Sequence, residues 1–256
     1  MMKQNKDKTK FSQIHPSKDL EELIESYWTY QNPTNQSKKM TIFPDSFFKI
    51  IIEFQGANII RYFLTGLWNK EVEIISPPHS SMYGIKFKIL APEYIFQKEI
   101  ASLILSYQDL QLSFWDIHDI IQGDFQEFVD KIELSITKNR KKKTIQEKKL
   151  KLSQLLYSMN GDISVKEVSN QINWSNRQIN RYLNKYLGVS LKTYLNIQKC
   201  HSSYLHISKG EFYPSSNYFD QPHFIREIKK HTGKTPKEIY KNQNDRFIQL
   251  KFPEKE

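Results

Sequence analysis

The 256-residue chain has one cysteine, Cys200. One thiol allows no intramolecular disulfide and no cysteine-based zinc site, which fits a reducing compartment. Glycine is scarce too, eight in all, and no Gly-rich phosphate loop is present. No apolar run approaches the ~18 residues of a membrane-spanning helix; SFFKIIIEF is far too short. The opening MMKQNKDKTK is charged with no apolar segment behind it, so no signal peptide is expected. These absences point to a soluble cytoplasmic protein with no membrane partner.

What is present is a core-forming composition. Hydrophobic residues make up 38% and aromatics 13%, enough to exclude a disordered chain. The length allows two domains or one large one. The net charge of +10 is divided unevenly. Residues 1–137 carry 14 Lys+Arg against 18 Asp+Glu, a net of −4; residues 138–256 carry 24 against 10, a net of +14. Such asymmetry suggests a neutral or acidic module joined to a polyanion binder, whether the polyanion is nucleic acid or an anionic membrane.

Periodicity along the chain predicts an α+β protein. SKDLEELIESYW (17–28) reads as a helix, with Leu20, Leu23, Ile24 and Tyr27 at spacings of three and four. Five β-like segments follow: MTIF (40–43), FFKIIIEF (47–54), NIIRYFL (58–64), EVEII (71–75) and MYGIKFKI (82–89). Pro-Asp, Gln-Gly, Trp-Asn and Ser-Pro-Pro breaks separate them. Further on, DFQEFVDKIELSI (124–136) carries an apolar stripe of Phe125, Phe128, Ile132 and Ile136. Residues 11–137 are therefore expected to form a small β-sheet or incomplete barrel with flanking helices. The stretch KNRKKKTIQEKKLK (138–151), eight basic residues and one acid, reads as a basic linker that adds sequence-independent phosphate attraction. Residues 152–242 are expected to be all-α.

The most informative stretch is GDISVKEVSNQINWSNRQINRYLNKYLGVSLKTYL (161–195). Val165, Val168 and Ile172 mark a two-turn helix; NWS (173–175) supplies a turn, and Ser175 caps a second helix that Gly188 ends. At about 100° per residue, Ile179, Tyr182, Leu183 and Tyr186 share one side of that second helix. Arg177, Asn180, Arg181 and Asn184 share the other. Arginine pairs with guanine and amides with adenine in the major groove, so the pattern reads as a helix-turn-helix unit.

Near the C-terminus, NYFDQPHFIREIKKHTGKTP (217–236) raises a second question, because an Asp precedes a His by three residues. Helical geometry separates the two. Asp220 is placed as an N-cap, with Gln221 and Pro222 in the first turn. Phe224, Ile225 and Ile228 fall on a buried side; His223, Arg226 and Lys230 fall opposite. The pattern is a second recognition surface and not an Asp–His site. Between the units, SLKTYLNIQKCHSSYLHIS (190–208) forms a rod of roughly 28 Å, near the roughly 34 Å between successive major-groove faces.

These two stretches resemble the AraC/XylS family of bacterial transcriptional regulators, over about residues 160–240. SNRQINRYLNKYLGVSLKTYL is similar to that family's first recognition helix and the start of its connecting helix; NYFDQPHFIREIKKHTGKTP is similar to the second recognition helix and its ending. The resemblance implies base contacts from Arg177, Asn180 and Arg181, and from Pro222, His223 and Arg226. Ser175, Asn184, Lys185, Gln221, Lys229 and Lys230 are assigned to phosphates. Double-stranded DNA is the implied partner, and RNA polymerase a further one. ESYW, IFPDSFFKIIIEF and YGIKFKILAPEYIF loosely resemble the cupin-like sensor domains of some members. They imply a regulatory or dimerisation module, with room for an unidentified small-molecule effector or a second copy of the chain. Aromatic residues there either fill a core or line a pocket. One departure stands out: KGEFYPSSN, with Pro214 and Asn217, allows a supporting helix of at most one turn before the second recognition helix. Whether that unit reads bases or only holds phosphates stays open.

Two other classes compete. Some proteins with this module repair alkylated DNA, which requires reactive or zinc-binding cysteines; Cys200 alone reads as a packing residue. WDIHD (115–119) places Asp116 and Asp119 around His118 without a second His at ligand spacing, and His201 and His206 are five apart. Neither a catalytic site, a metal nor a cofactor is expected. Non-specific binding to nucleic acid or an anionic surface is the other alternative, although the apolar stripes are committed to cores.

Overall fold

The computed structural model describes residues 10–119, 124–140, 143–213 and 218–242, with only the backbone of 118 and 119. The protein is α+β: strands fill the first half and helices the second. The strands are β1 (Lys10–Ile14), β2 (Ile24–Asn32), β3 (Lys38–Ile42), β4 (Phe48–Gln55), β5 (Asn58–Thr65), β6 (Val72–Ser76), β7 (Ser80–Phe87) and β8 (Tyr107–Asp109). The helices are α1 (Phe125–Asn139), α2 (Glu147–Met159), α3 (Val165–Ile172), α4 (Asn176–Leu187), α5 (Leu191–Ser208), α6 (Gln221–Thr232) and α7 (Pro236–Lys241). An antiparallel sheet runs in the order β1-β2-β7-β4-β5-β8, and β3 pairs with β6 in a separate ribbon.

Residues 17–28 are not the helix their spacing predicts. Leu23 and Ile24 donate their amides to the Leu20 carbonyl, 2.8 Å each, closing a single turn before β2 begins. Leu20, Leu23, Ile24 and Tyr27 are buried all the same. From Ile24 the side chains are β-branched or aromatic at Tyr27, Trp28, Thr29 and Tyr30, which favours a pleated surface. Pairing with β1 on one side and β7 on the other then satisfies the backbone. Tertiary pairing overrides the helical spacing.

Both faces of the sheet are covered, so its strands alternate between two cores. Tyr27, Ile50, Ile52, Tyr62, Leu64, Tyr83 and Ile85 share one core with Phe128, Val129, Ile132 and Ile136 of α1, the Tyr83 ring lying 4.9 Å from that of Phe128. Trp28, Tyr30, Ile51, Phe63 and Met82 face the ribbon and pack on Met40, Ile42 and Trp68. Gly84 makes this layering possible. A Cβ there would lie 2.1 Å from the Trp28 ring, so the indole crosses β7 where there is no side chain.

The larger core does not stop at the sheet. It continues through Leu152 and Leu156 of α2, Val168 and Ile172 of α3, Ile179 and Leu183 of α4, to Leu191 and Ile197 of α5. Sheet and helices are thus packed as one body, and the segment 43–47 between β3 and β4 joins them a second time. Phe43 lies in the core formed by Cys200, Tyr204, Ile207, Phe224, Ile228 and Ile239. Phe47 stacks on Tyr157, with centroids 5.5 Å apart and planes 4° from parallel. Phe43 and Phe47 are buried; at about 1.5–3 kcal/mol each, they make this a firm junction.

Candidate nucleic-acid interface

The first helical unit is defined by its caps. Ser164 Oγ accepts the Glu167 amide at 3.2 Å while Glu167 Oε2 accepts the Ser164 amide at 2.8 Å, a reciprocal box that starts α3. Those hydrogen bonds from Ser164 hold the Glu167 carboxyl below its ordinary value. Asn173, at φ 53°, ends α3 in the left-handed region that Asn tolerates. Ser175 and Gln178 repeat the box at the start of α4, at 3.3 and 2.9 Å. Val168, Ile172, Ile179 and Leu183 are buried between the helices, and α4 projects its other side to solvent. Gly188 ends α4 at φ 76°. A Cβ there would meet the Ala101 carbonyl at 2.8 Å, so this glycine is also where α4 abuts residues 101–104.

On that outer side Arg177 and Arg181 are exposed. Arg181 lines a groove of about 440 Å³ with Lys149, Trp174, Lys185 and Tyr186. Ser175 and Asn184 are exposed, the Asn184 amide donating to the Asn180 carbonyl at 2.8 Å. Lys185 is exposed and lies 3.8 Å from Glu99. Asn180 differs from its neighbours. Its Nδ2 donates to the Asn176 carbonyl at 2.9 Å, and its Oδ1 accepts the Leu191 amide at 2.9 Å. Both ends of the side chain are engaged by the protein, and they fix α4 to the first turn of α5.

The second unit comprises the latter half of α5 with α6 and α7. Asp220 caps α6 by accepting the His223 backbone amide at 2.7 Å, so its carboxylate serves the helix end and not the imidazole. Phe224 and Ile228 are buried and Ile225 is half-buried. Pro222, Arg226, Lys229 and Lys230 are exposed; Lys230 is 3.5 Å from Glu227. Gln221 is half-buried and reaches the Phe212 carbonyl at 3.5 Å. His223 is half-buried, edge-on to the Tyr218 ring at 5.8 Å. Tyr218 also packs on Phe224 and donates to the Lys199 carbonyl at 3.1 Å, tying the start of α6 to α5. Pro214 and Asn217 lie outside the described residues. Among described residues, 209–213 and 218–220 contain no helix.

The basic run 138–151 is more engaged than a linker requires. Its ends belong to α1 and α2. Lys149 reaches both Glu93 oxygens at 2.8 Å and lies over the Tyr182 ring. Lys148 donates to the Asn173 carbonyl at 3.0 Å, at the turn of the first unit. Arg140 donates to the Asp19 carbonyl, Lys143 approaches Glu93 and Lys151 pairs with Glu147.

Sequence reasoning missed the contacts that position these helices. The Tyr194 hydroxyl donates to the Ser46 carbonyl at 3.1 Å and lies 2.9 Å from the Tyr157 hydroxyl, which accepts the Ile89 amide. The Tyr204 hydroxyl donates to the Pro44 carbonyl at 3.0 Å. His231, at the end of α6, lies with Nδ1 3.1 Å from the Asn69 carbonyl. The only advance signal was a Pro-Asp pair flanked by three phenylalanines in IFPDSFF.

Among the described residues, the other candidates are engaged in packing and pairing. Burial pushes the Cys200 thiol up to about 12, far from a nucleophile's range. His201 packs edge-on to Phe47 and Tyr204, and His206 pairs with Glu211 at 2.6 Å. Asp116 is exposed; the side chains of His118 and Asp119 lie outside the described residues. Among the described residues no group of three or more His, Cys, Asp or Glu is placed to hold a metal, and no helix is long and apolar enough to cross a membrane.

Residues 12–107, which contain most of the sheet, match the model of a domain of unknown function, DUF6597. No curated protein matches the chain. Among solved structures it is similar to ToxT from Vibrio cholerae. An apo variant of that protein gives a TM-score of 0.45 at 13% identity, over 89% of this chain and 98% of that one. The wild type bound to an unsaturated fatty acid gives 0.42 at 14%, over 93% and 97%. A form bound to (E)-4-(8-methylnaphthalen-1-yl)but-3-enoic acid gives 0.42 at 15%, over 91% and 97%.

Proposed function

We propose that the protein is a transcriptional regulator of the AraC/XylS type that binds duplex DNA sequence-specifically through α4 and α6. One observation carries this reading. Arg177, Arg181 and Arg226 are exposed, without a hydrogen-bond or ion-pair partner among the described residues, on two capped helices whose opposite sides are buried. The other described arginines are engaged within the chain, Arg61 by Asp109 and Arg140 by the Asp19 carbonyl. Cations left unengaged on two helix faces are placed for an external polyanion.

In this reading Arg177 and Arg181 read bases from α4, and Pro222, His223 and Arg226 approach them from α6. Ser175, Asn184, Lys185, Gln221, Lys229 and Lys230 hold phosphates. Asn180 acts behind them, setting the angle between α4 and α5. Residues 152–242 are the DNA-binding part, and 11–137 the regulatory or dimerisation part.

The test is site selection from random duplexes with the purified chain, followed by titration. The selected site should exceed random DNA by about 10³-fold or more. Arg181→Ala and Arg226→Ala should each cost about 1–3 kcal/mol and relax specificity at one position. Lys230→Ala should weaken all sequences alike and flatten the salt dependence. Unchanged specific affinity in both arginine variants would overturn the reading.

A further inference from the structure

Phe219 is 95% exposed, more than any other large hydrophobic residue described in the chain. It immediately precedes Asp220, the N-cap of α6. An apolar residue there normally packs back on the fourth residue of its helix and fixes the entry of the chain. Here Tyr218 takes that place: its ring lies 5.0 Å from Phe224, and its hydroxyl is held by the Lys199 carbonyl. The entry of α6 is therefore secured without Phe219, whose ring has no stacking partner among the described residues.

We propose that Phe219 is an apolar base-reading residue that packs against a thymine 5-methyl group in the major groove. The inference rests on the reading of α6 as a recognition helix. Recognition helices of this plan meet base edges with their N-terminal residues, and Phe219 stands at that end, ahead of exposed Pro222 and Arg226. The surroundings favour DNA over a protein partner. Arg226, Lys229 and Lys230 are exposed on the same helix, a cationic setting that suits a polyanion and opposes an apolar protein surface. Within the groove, the thymine methyl is the apolar feature that a phenyl ring can recognise. Phe219 would thus give the second unit base discrimination that its lysines, as phosphate contacts, cannot supply.

The experiment uses the full chain and a duplex selected from a random library by the wild type. Each thymine is replaced in turn by deoxyuridine, which removes only the 5-methyl group. At one or two positions under α6, the replacement should weaken the wild type about fourfold, the worth of one buried methyl-sized group. Phe219→Ala should bind the selected site about tenfold more weakly, keep the wild-type salt slope and affinity for random DNA, and be indifferent to those deoxyuridines. Phe219→Ser should behave alike. The proposal is overturned if Phe219→Ala retains the wild-type deoxyuridine profile, or loses equally on random DNA. It also falls if no thymine lies under α6, or if the substitution alters self-association instead of DNA binding. Arg226→Ala separates the two levels. If it weakens specific binding while Phe219→Ala is silent, base reading stands and the Phe219 role alone falls. If no preferred site is recovered, both fall.

Discussion

Asn180 Oδ1 accepts the backbone amide of Leu191 at 2.9 Å, linking the middle of α4 to the first turn of α5. The bond satisfies one of the amides that a helix start leaves unpaired. It also makes the direction of α4 depend on a side chain that faces the same way as its arginines. Asn180→Ala is expected to cost about 1–3 kcal/mol, the penalty for leaving a partly buried donor unmet, read from urea unfolding. Affinity should fall by a similar factor on selected and random duplexes. A change confined to one base position would instead make Asn180 a base reader.

The buried ion pair at the junction gives a second prediction. Lys49 Nζ is 2.6 Å from Asp45 Oδ1, with both side chains almost wholly inaccessible, and it lies over the Trp68 ring. Removing one partner strands the other charge, so Asp45→Ala should destabilise by about 3–5 kcal/mol. Adding Lys49→Met to that variant should recover most of the loss, because a well-packed apolar pair can match a buried ionic one. Equal stabilities for the single and double variants in urea would show that the charge is not the cause.

The two capping boxes provide a matched pair for acid. At α3 the reciprocal acceptor is Glu167, whose carboxyl the Ser164 hydrogen bonds hold below its ordinary value of 4.5. A depressed carboxylate contributes stability that is present above that ordinary value and lost as pH falls through the lowered one. At α4 the same place is held by Gln178, which does not titrate. Acidification should therefore lower the amide protection factors at the start of α3 before those at the start of α4. Glu167→Gln should abolish the difference, and a difference that persists would place the sensitivity elsewhere.

Local features of this fold were legible in the sequence. The five apolar segments broken by Pro-Asp, Gln-Gly, Trp-Asn and Ser-Pro-Pro are β3 to β7. Ser175 and Asp220 cap α4 and α6. What escaped notice depends on distant partners. β2 mimics a helix at its start because a turn and a strand bury Leu20, Leu23, Ile24 and Tyr27 together. β8 is three exposed residues, recognisable only once β5 is there to pair with it. The engagement of Asn180 depends on Leu191, eleven residues on, and a helical wheel of α4 alone does not contain it.

The junction at 43–47 also bears on synthesis. Ser46 meets Tyr194 across 148 residues, and Pro44 meets Tyr204 across 160. During translation the sheet leaves the ribosome before α5 does, while the residues that will cover Phe43 are still unmade. A nascent chain stalled before α5 therefore leaves the Phe43 ring uncovered beside β4, although Phe47 already has Tyr157 of α2 to stack on. The helices α5 to α7 thus close the 43–47 junction as well as packing on one another.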